Sequence, residues 1–192
     1  MGLEGQRALA RLITLVEVDE SQREPVMAAA AKLQEKNPGV VPVLGITGTG
    51  GAGKSSLVDE LVRRFLRDFP AKRIAIVSVD PSKRKTGGAL LGDRIRMNSI
   101  DDPRVFMRSM ATRGFSGGLS RAANDTADLL DGAGRTVIIM ETVGVGQAEL
   151  EISRGADCVL VVLSPEAGDG IQAMKAGILE IADLLVINKA DL

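Results

Sequence analysis

The stretch GITGTGGAGKSSL, residues 45–57, determines how the rest of the sequence is interpreted. Residues 48–55 within it match the pattern G-x-x-x-x-G-K-[ST], in which a glycine-rich loop curls so that successive backbone N–H groups face one anion. Apolar and small residues precede the loop and a helical pattern follows it, and the N-terminus of such a helix adds partial positive charge. The spacing and both flanks therefore predict a strand, a loop and a helix that together hold the phosphates of a ligand.

The loop pattern assigns roles to individual residues. Lys54 is predicted to reach the β- and γ-phosphates of a nucleotide, and the Ser55 hydroxyl is predicted to be a ligand of Mg²⁺. The alternative, a glycine-rich turn with an incidental lysine, explains neither the spacing nor the flanks. The remaining predicted nucleotide contacts are Gly48, Thr49, Gly50, Gly51, Ala52, Gly53 and Ser56.

A second stretch, Asn188-Lys189-Ala190-Asp191, indicates which base the nucleotide carries. The Asp191 carboxylate can accept hydrogen bonds from N1–H and the 2-amino group of guanine, whereas adenine offers neither donor. Lys189 can lay its methylene groups on the purine face. The tetrapeptide alone could simply end a strand, but its place after the phosphate loop in chain order predicts GTP or GDP as the ligand, with Asn188 in the same site.

A third stretch, residues 141–144, is predicted to lie beside the γ-phosphate. It reads Glu-Thr-Val-Gly and stands where GTP-hydrolysing proteins carry D-x-x-G. We expect the Gly144 amide to hold the γ-phosphate and Glu141 to bind Mg²⁺ through water; a surface carboxylate after a strand is the alternative. In Ras-like proteins the water-positioning Gln directly follows the glycine, but here Val145 does and Gln147 comes later. We therefore assign no catalytic base and expect slow intrinsic hydrolysis.

The composition limits the other possible functions. The chain has 192 residues, is 45% hydrophobic and carries a formal net charge of −1, which gives no sign of a nucleic-acid or membrane binder. It has no His, so histidine acid–base catalysis and histidine metal sites are excluded. The single cysteine, Cys158, lies in an apolar run and is predicted to be a buried strand residue. No signal peptide and no apolar stretch of about 18 residues is present, so we expect a cytoplasmic protein.

Short apolar runs alternate with helical segments from residue 40 onward, which predicts an α/β fold with a mostly parallel sheet. The predicted strands are 41–47, 73–80, 104–110, 136–142, 157–164 and 183–189, and the predicted helices are 54–68, 119–131 and 168–181.

Two further helices are predicted upstream of the sheet, at 3–18 and 21–36. The first would place Leu9, Leu12, Ile13 and Val16 on one face. We therefore divide the chain into a helical extension, 1–38, and a phosphate-loop domain, 39–192. Because the chain stops directly after a strand, we expect that this domain is incomplete at its C-terminus.

Four longer stretches, 7–17, 79–98, 141–149 and 168–191, resemble the MeaB/ArgK/MMAA group of phosphate-loop GTPases. The resemblance covers nearly the whole chain, and residues 45–57 and 79–98 are especially similar to the G domain of fused isobutyryl-CoA mutase. It implies a GTPase chaperone of adenosylcobalamin-dependent acyl-CoA mutases, mainly methylmalonyl-CoA mutase, that gates cofactor loading and protects the mutase. It also implies further strands and a C-terminal dimerisation arm after Asp191, so the full-length protein is expected to form a homodimer.

The resemblance also assigns roles to residues that the motifs do not reach. It implies that Asp80 and Asp93 lie in a nucleotide-responsive segment near Mg²⁺, with Asp80 a metal ligand and Asp93 catalytic. Lys175 corresponds to a catalytic lysine in a third switch that responds to the mutase. Asp80 could instead be a turn residue before Pro81, and Lys175 could be an exposed lysine on a helix.

Two other classes of function stay open. A metallochaperone GTPase for nickel or zinc enzymes would need clusters of Cys or His, and one cysteine without histidine argues against it. A nucleotide-sensing domain of a fused mutase would carry the same motifs, and only sequence beyond this chain distinguishes it. No segment predicts the acceptor pocket of a small-molecule kinase.

Overall fold

The computed structural model describes residues 3–36, 39–80, 97–111, 118–142, 152–165 and 177–191. Its helices are α1 (Leu3–Val18), α2 (Glu20–Gln34), α3 (Lys54–Asp68) and α4 (Gly118–Gly132), with 3₁₀ turns at Ser99–Asp101 and Ile178–Ile181. Its strands are β1 (Val43–Gly48), β2 (Ile74–Asp80), β3 (Val105–Ala111), β4 (Val137–Thr142), β5 (Cys158–Leu163) and β6 (Leu184–Ile187).

The described strands form one sheet in the order β3-β2-β4-β1-β5-β6, and every neighbouring pair is parallel. This confirms the predicted α/β class with a mostly parallel sheet. The order places β1 between β4 and β5, and β4 between β1 and β2. Because parallel strands end at the same edge, the carboxyl ends of β1, β2, β4 and β6 lie along one edge of the sheet.

Apolar side chains cover both faces of the central strands, as their Val- and Ile-rich sequences predict. In β2, Ile74 and Ile76 join the core under α3, whereas Val77 and Val79 join the core on the opposite face. Alternate residues of a strand point to opposite faces. Ser78 therefore lies on the α3 side of the sheet, like Ile74 and Ile76.

The helix α3 begins and ends where the sequence predicts, at residues 54 and 68. Its buried apolar residues Val58, Val62 and Leu66 recur every fourth position, which gives the helix one face to pack against the sheet. It ends as the Phe69 backbone leaves the helical region, and Pro70 follows.

The N-terminal helices α1 and α2 lie on the other face of the sheet, beside α4. Leu9, Ile13 and Val16 of α1 are buried in the same core as Leu130 of α4. Leu12 is 40% exposed, because it lies about 60° around the helix from Leu9, at the margin of the buried face. Further contacts between the helices and the sheet domain are polar: Arg23 forms two hydrogen bonds with Asp125, at 2.6 and 2.8 Å, and Arg108 pairs with Glu17 at 2.7 Å.

The C-terminal elements differ from the prediction. Strand β6 ends at Ile187 instead of residue 189, and Lys189, inside the predicted strand, adopts a positive φ of 57° that an extended strand does not allow. Leu184 and Ile187 are more than half exposed, so β6, at the edge of the sheet, is not covered on both faces. Of the helix predicted at 168–181, residues 177–181 are described and contain a 3₁₀ turn at 178–181.

Two further sequence features concern the single cysteine and the apolar content of the helices. Cys158 is the first residue of β5 and is partly exposed instead of buried. Among the described residues, no helix combines the length and the apolar content needed to cross a bilayer.

Truncating α1 at its buried face is expected to destabilise the whole fold. Ile13 is fully buried, so Ile13→Ala should lower the free energy of unfolding by about 2–5 kcal/mol. Leu12→Ala on the same helix removes a side chain that is partly in water, and should cost about 1 kcal/mol or less. Chemical denaturation of both variants measures the difference, and equal losses would contradict the packing of α1 described above.

Candidate nucleotide-binding site

The candidate site lies at the carboxyl edge of the sheet, where β1 passes into α3 through residues 48–54. Glu141 stands near the end of β4, Ser78 near the end of β2, and Asn188 directly after β6. Residues from three strands that are distant in sequence from the loop thus lie at the same edge of the sheet. In open parallel sheets this edge is the usual position of a ligand site.

The loop backbone has a shape that only glycine permits at its two ends. Gly48 has a φ of 139°, and a Cβ there would lie 1.9 Å from the Val162 carbonyl oxygen. Gly53 has a φ of 87°, and its Cβ would lie 2.5 Å from the Asn188 amide nitrogen. Between them, Cβ atoms at Gly50 and Gly51 would meet no described atom within 4 Å, so the loop borders open space at these two positions.

Lys54 is drawn across this loop and is only 8% exposed. Its ammonium group donates hydrogen bonds to the carbonyl oxygens of Gly48, at 2.8 Å, and Thr49, at 2.9 Å. The charge is therefore fixed next to the loop and does not extend into solvent. A buried ammonium group in this position is suited to an anionic ligand in the same loop.

The start of α3 supplies the backbone donors that a phosphate needs. The first helical hydrogen bond runs from the Leu57 N–H to the Gly53 carbonyl oxygen at 3.0 Å. Ser55 and Ser56 stand ahead of it, where helix geometry offers no intrahelical acceptor, and the N-cap residue Gly53 has no side chain to cap them. The open loop, the uncapped helix start and the Lys54 ammonium group together fit phosphate oxygens.

Asn188 connects the predicted base-selecting stretch to the loop. Its side-chain N–H donates to the Ala52 carbonyl oxygen at 2.8 Å, across 136 residues of sequence. The next residue, Lys189, turns the chain through its positive φ, and Asp191 is exposed. Asn188 therefore braces the loop, while the Asp191 carboxylate remains accessible to a base.

Glu141 is completely buried and lies within β4, so the alternative of a surface carboxylate is wrong. It is aligned with Ile46 of β1 and Ser78 of β2, which places it on the face of the sheet that α3 covers. Its Oε1 accepts a hydrogen bond from the Ser78 hydroxyl at 3.3 Å. A carboxylate on the same face as Lys54 and Ser55 suits Mg²⁺ or the water ligands of Mg²⁺.

Sequence reasoning did not single out Ser78 or Asp59. Ser78 is the polar residue that interrupts the apolar run of β2, which was the available signal. Asp59, on the second turn of α3, is almost buried and accepts a hydrogen bond from the Ser99 N–H at 2.8 Å. Burial acts to raise the pKa of Asp59, but the hydrogen bonds from Ser99 and Asn98 outweigh it, so the pKa is below its usual value. This carboxylate fastens the chain at residue 99 to the helix of the phosphate loop.

Four predicted site residues lie wholly or partly outside the part of the chain that the structure describes. Asp93, Gly144 and Lys175 lie outside the described residues, and Asp80 is described only through its backbone, which pairs with Ala111 at the end of β2. Their assigned roles stay predictions.

Comparison with known proteins agrees with this geometry. A family model described as methylmalonyl-CoA mutase-associated GTPase MeaB matches residues 9–192. The chain is 52% identical over 190 residues to the fused isobutyryl-CoA mutase of Geobacillus kaustophilus, a match that covers 95% of this chain and 17% of that protein. It is 50% identical over 187 residues to a putative GTPase of Pyrococcus horikoshii, covering 97% of this chain and 57% of that protein.

A solved structure is similar over nearly the whole chain. The crystal structure of LAO/AO transport system kinase superimposes with a TM-score of 0.68 at 33% identity, covering 98% of this chain and 54% of that one. The chain thus spans 57% of the length of the putative GTPase and 17% of the length of the fused mutase.

Proposed function

The chain belongs to the MeaB family of methylmalonyl-CoA mutase-associated GTPases, and from that premise we propose that it is a Mg²⁺-dependent GTPase that assists an adenosylcobalamin-dependent acyl-CoA mutase. The assistance consists of controlling cofactor loading and protecting the mutase. The family description and the resemblance of residues 79–98 and 168–191 support the choice of client.

The observation that carries GTP binding is the hydrogen bond from Asn188 to the Ala52 carbonyl oxygen. It brings the Asn-Lys-Ala-Asp stretch to the phosphate loop, so that one ligand can touch both. A nucleotide has this bipartite shape, with phosphates at one end and a base at the other. The exposed carboxylate of Asp191 then provides the acceptor that guanine requires.

Hydrolysis of GTP transfers the γ-phosphoryl group to water. The water oxygen bonds to the γ-phosphorus, the bond to the β–γ bridging oxygen breaks, and GDP leaves with that electron pair. The protein contributes mainly by placing charge and water. The fixed ammonium group of Lys54 and the N–H groups at the start of α3 stabilise the negative charge that shifts onto the phosphate oxygens.

We assign Ser55 and Glu141 to the Mg²⁺ site among the described residues. Ser55 lies in the first turn of α3, and Glu141 is buried on the face of the sheet that α3 covers. When bound, the ion neutralises charge on the phosphate oxygens. The serine would be a direct ligand, and the carboxylate would act through water.

A second candidate is a nucleotide-sensing domain within a fused mutase. The 52% identity to fused isobutyryl-CoA mutase over 95% of this chain favours it. The two candidates differ in whether the mutase is part of the same polypeptide. The mass of the native polypeptide on a denaturing immunoblot distinguishes them.

The experiment on the client is steady-state phosphate release by the full chain, with and without the cognate mutase. We expect the mutase to raise GTP turnover several-fold or more, because the rate of hydrolysis depends on how well charge and water are placed. Lys175→Ala should reduce this increase more than it reduces basal turnover, because the resemblance assigns Lys175 to the segment that responds to the mutase. Lys72→Ala, at an exposed lysine before β2, is the matched control and should alter neither rate.

Either of two results would contradict this proposal. Unchanged turnover in the presence of the mutase removes the mechanism of the chaperone function. Equal losses of basal and stimulated turnover in Lys175→Ala remove the role given to that lysine.

A further inference from the structure

A buried serine stands beside the one carboxylate that the described site offers to Mg²⁺. Ser78 is 1% exposed and Glu141 is fully buried, and the two residues are aligned partners on the neighbouring parallel strands β2 and β4. The Ser78 hydroxyl donates to Glu141 Oε1 at 3.3 Å. Aligned residues of neighbouring strands point to the same face, so this contact follows from the register of the sheet.

Apolar side chains flank this pair among the described residues. Ile46, Ile76 and Ile139 lie on the same face of the sheet, and Val58 covers them from α3. A carboxylate among such side chains is costly unless polar groups compensate for the lost water. A hydroxyl in fixed register with it supplies such a group, and it also restricts the orientation of the carboxylate.

We propose that Ser78 is a positioning residue for the Mg²⁺ site, which acts by holding the Glu141 carboxylate toward the phosphate loop. This inference rests on the proposed function, since it concerns the metal-dependent step of nucleotide binding. In this role the hydroxyl acts through Glu141 and is not itself a ligand of nucleotide or metal. Partners of this kind orient metal-binding groups, and their loss typically weakens metal affinity by about 10- to 100-fold.

The test measures GTP binding by the full chain as a function of Mg²⁺ concentration, and again in excess chelator. Ser78→Ala should raise the Mg²⁺ concentration for half-saturation by about tenfold. Binding of GTP without Mg²⁺ should stay unchanged, because the phosphate loop is intact. Thr126→Val is the matched control: it removes another buried hydroxyl, which donates to Met110 Sδ on the opposite side of the sheet, and it should leave Mg²⁺ dependence unaltered.

A double-mutant cycle separates positioning from general packing. If Ser78 acts through Glu141, Ser78→Ala should have no further effect on Mg²⁺ half-saturation in a Glu141→Gln background. The inference would be overturned if the effects of the two substitutions on Mg²⁺ half-saturation multiply in the double variant. It would also be overturned if Ser78→Ala folds and keeps the Mg²⁺ dependence of the unaltered chain. If the unaltered chain binds GTP without any response to Mg²⁺, the proposed function fails together with the inference. Normal Mg²⁺ dependence in Ser78→Ala, together with altered Mg²⁺ dependence in Glu141→Gln, overturns the inference alone.

Discussion

Replacing Lys54 by alanine is expected to lower GTP turnover at saturating GTP by about 100- to 1,000-fold, the usual loss when one transition-state donor is removed. The ammonium group is fixed by the Gly48 and Thr49 carbonyl oxygens beside the open loop. It is therefore already in position when charge moves onto the β–γ bridging oxygen, and no solvent has to reorganise. Alanine removes the cation that the described part of the site places beside that charge, and water cannot replace a fixed charge where the side chain is only 8% exposed.

The variant must be shown to fold, because the same ammonium group also ties two carbonyl groups of the loop together. Thermal unfolding with and without GDP distinguishes a lost charge from a collapsed loop: an intact loop still gives a stabilising shift with nucleotide. Lys32→Ala, at an exposed lysine on α2, is the control for loss of charge alone and should keep full turnover. Normal turnover by a folded Lys54→Ala protein would show that this loop is not the active site.

The fold could be predicted from the sequence where local signals were strong. The bounds of α3 follow from a loop glycine, an apolar residue at every fourth position and a proline after the last turn. The strands could be predicted from the Val- and Ile-rich runs, because a strand that is buried on both faces has a continuous apolar sequence instead of an alternating one. The bounds of β6 could not be predicted, because the backbone conformation of Lys189 is not visible in residue types.

Contacts between side chains of different strands could not be predicted from the sequence, for a different reason. The Ser78–Glu141 pair joins residues 63 positions apart, and only the order and register of β2 and β4 bring them together. The bond from Asn188 to the loop likewise depends on β6 entering the sheet beside β5. Motifs predicted which residues belong to the site, but not which of them support others. Asn188 illustrates this: its amide group braces Ala52 and leaves selection of the base to Asp191.

Selection of the base should therefore depend on Asp191, and its replacement is expected to have the second large effect. The unaltered full chain should bind GTP more tightly than ATP by about 10⁴-fold, since a site built for hydrogen bonds strongly rejects an analogue that lacks them. Adenine would leave the carboxylate unpaired against a ring nitrogen that is itself an acceptor. Competition of unlabelled GTP and ATP against labelled GTP measures this ratio, and equal competition would refute the assignment of the base.

Asp191→Asn tests the carboxylate itself. Hydrogen bonds to charged groups contribute about 1.5–3 kcal/mol each, so losing the charge and one of two acceptors should weaken GTP binding by about 100-fold or more. Xanthine carries an oxygen in place of the 2-amino group of guanine. The asparagine amide can donate to that oxygen while its own oxygen accepts from N1–H, so the variant should prefer xanthosine triphosphate to GTP. Glu180→Gln removes an exposed carboxylate ahead of β6 and is the matched control, expected to keep the preference for GTP. If Asp191→Asn loses affinity for GTP and for xanthosine triphosphate equally, the residue supports the fold of the site and does not contact the base.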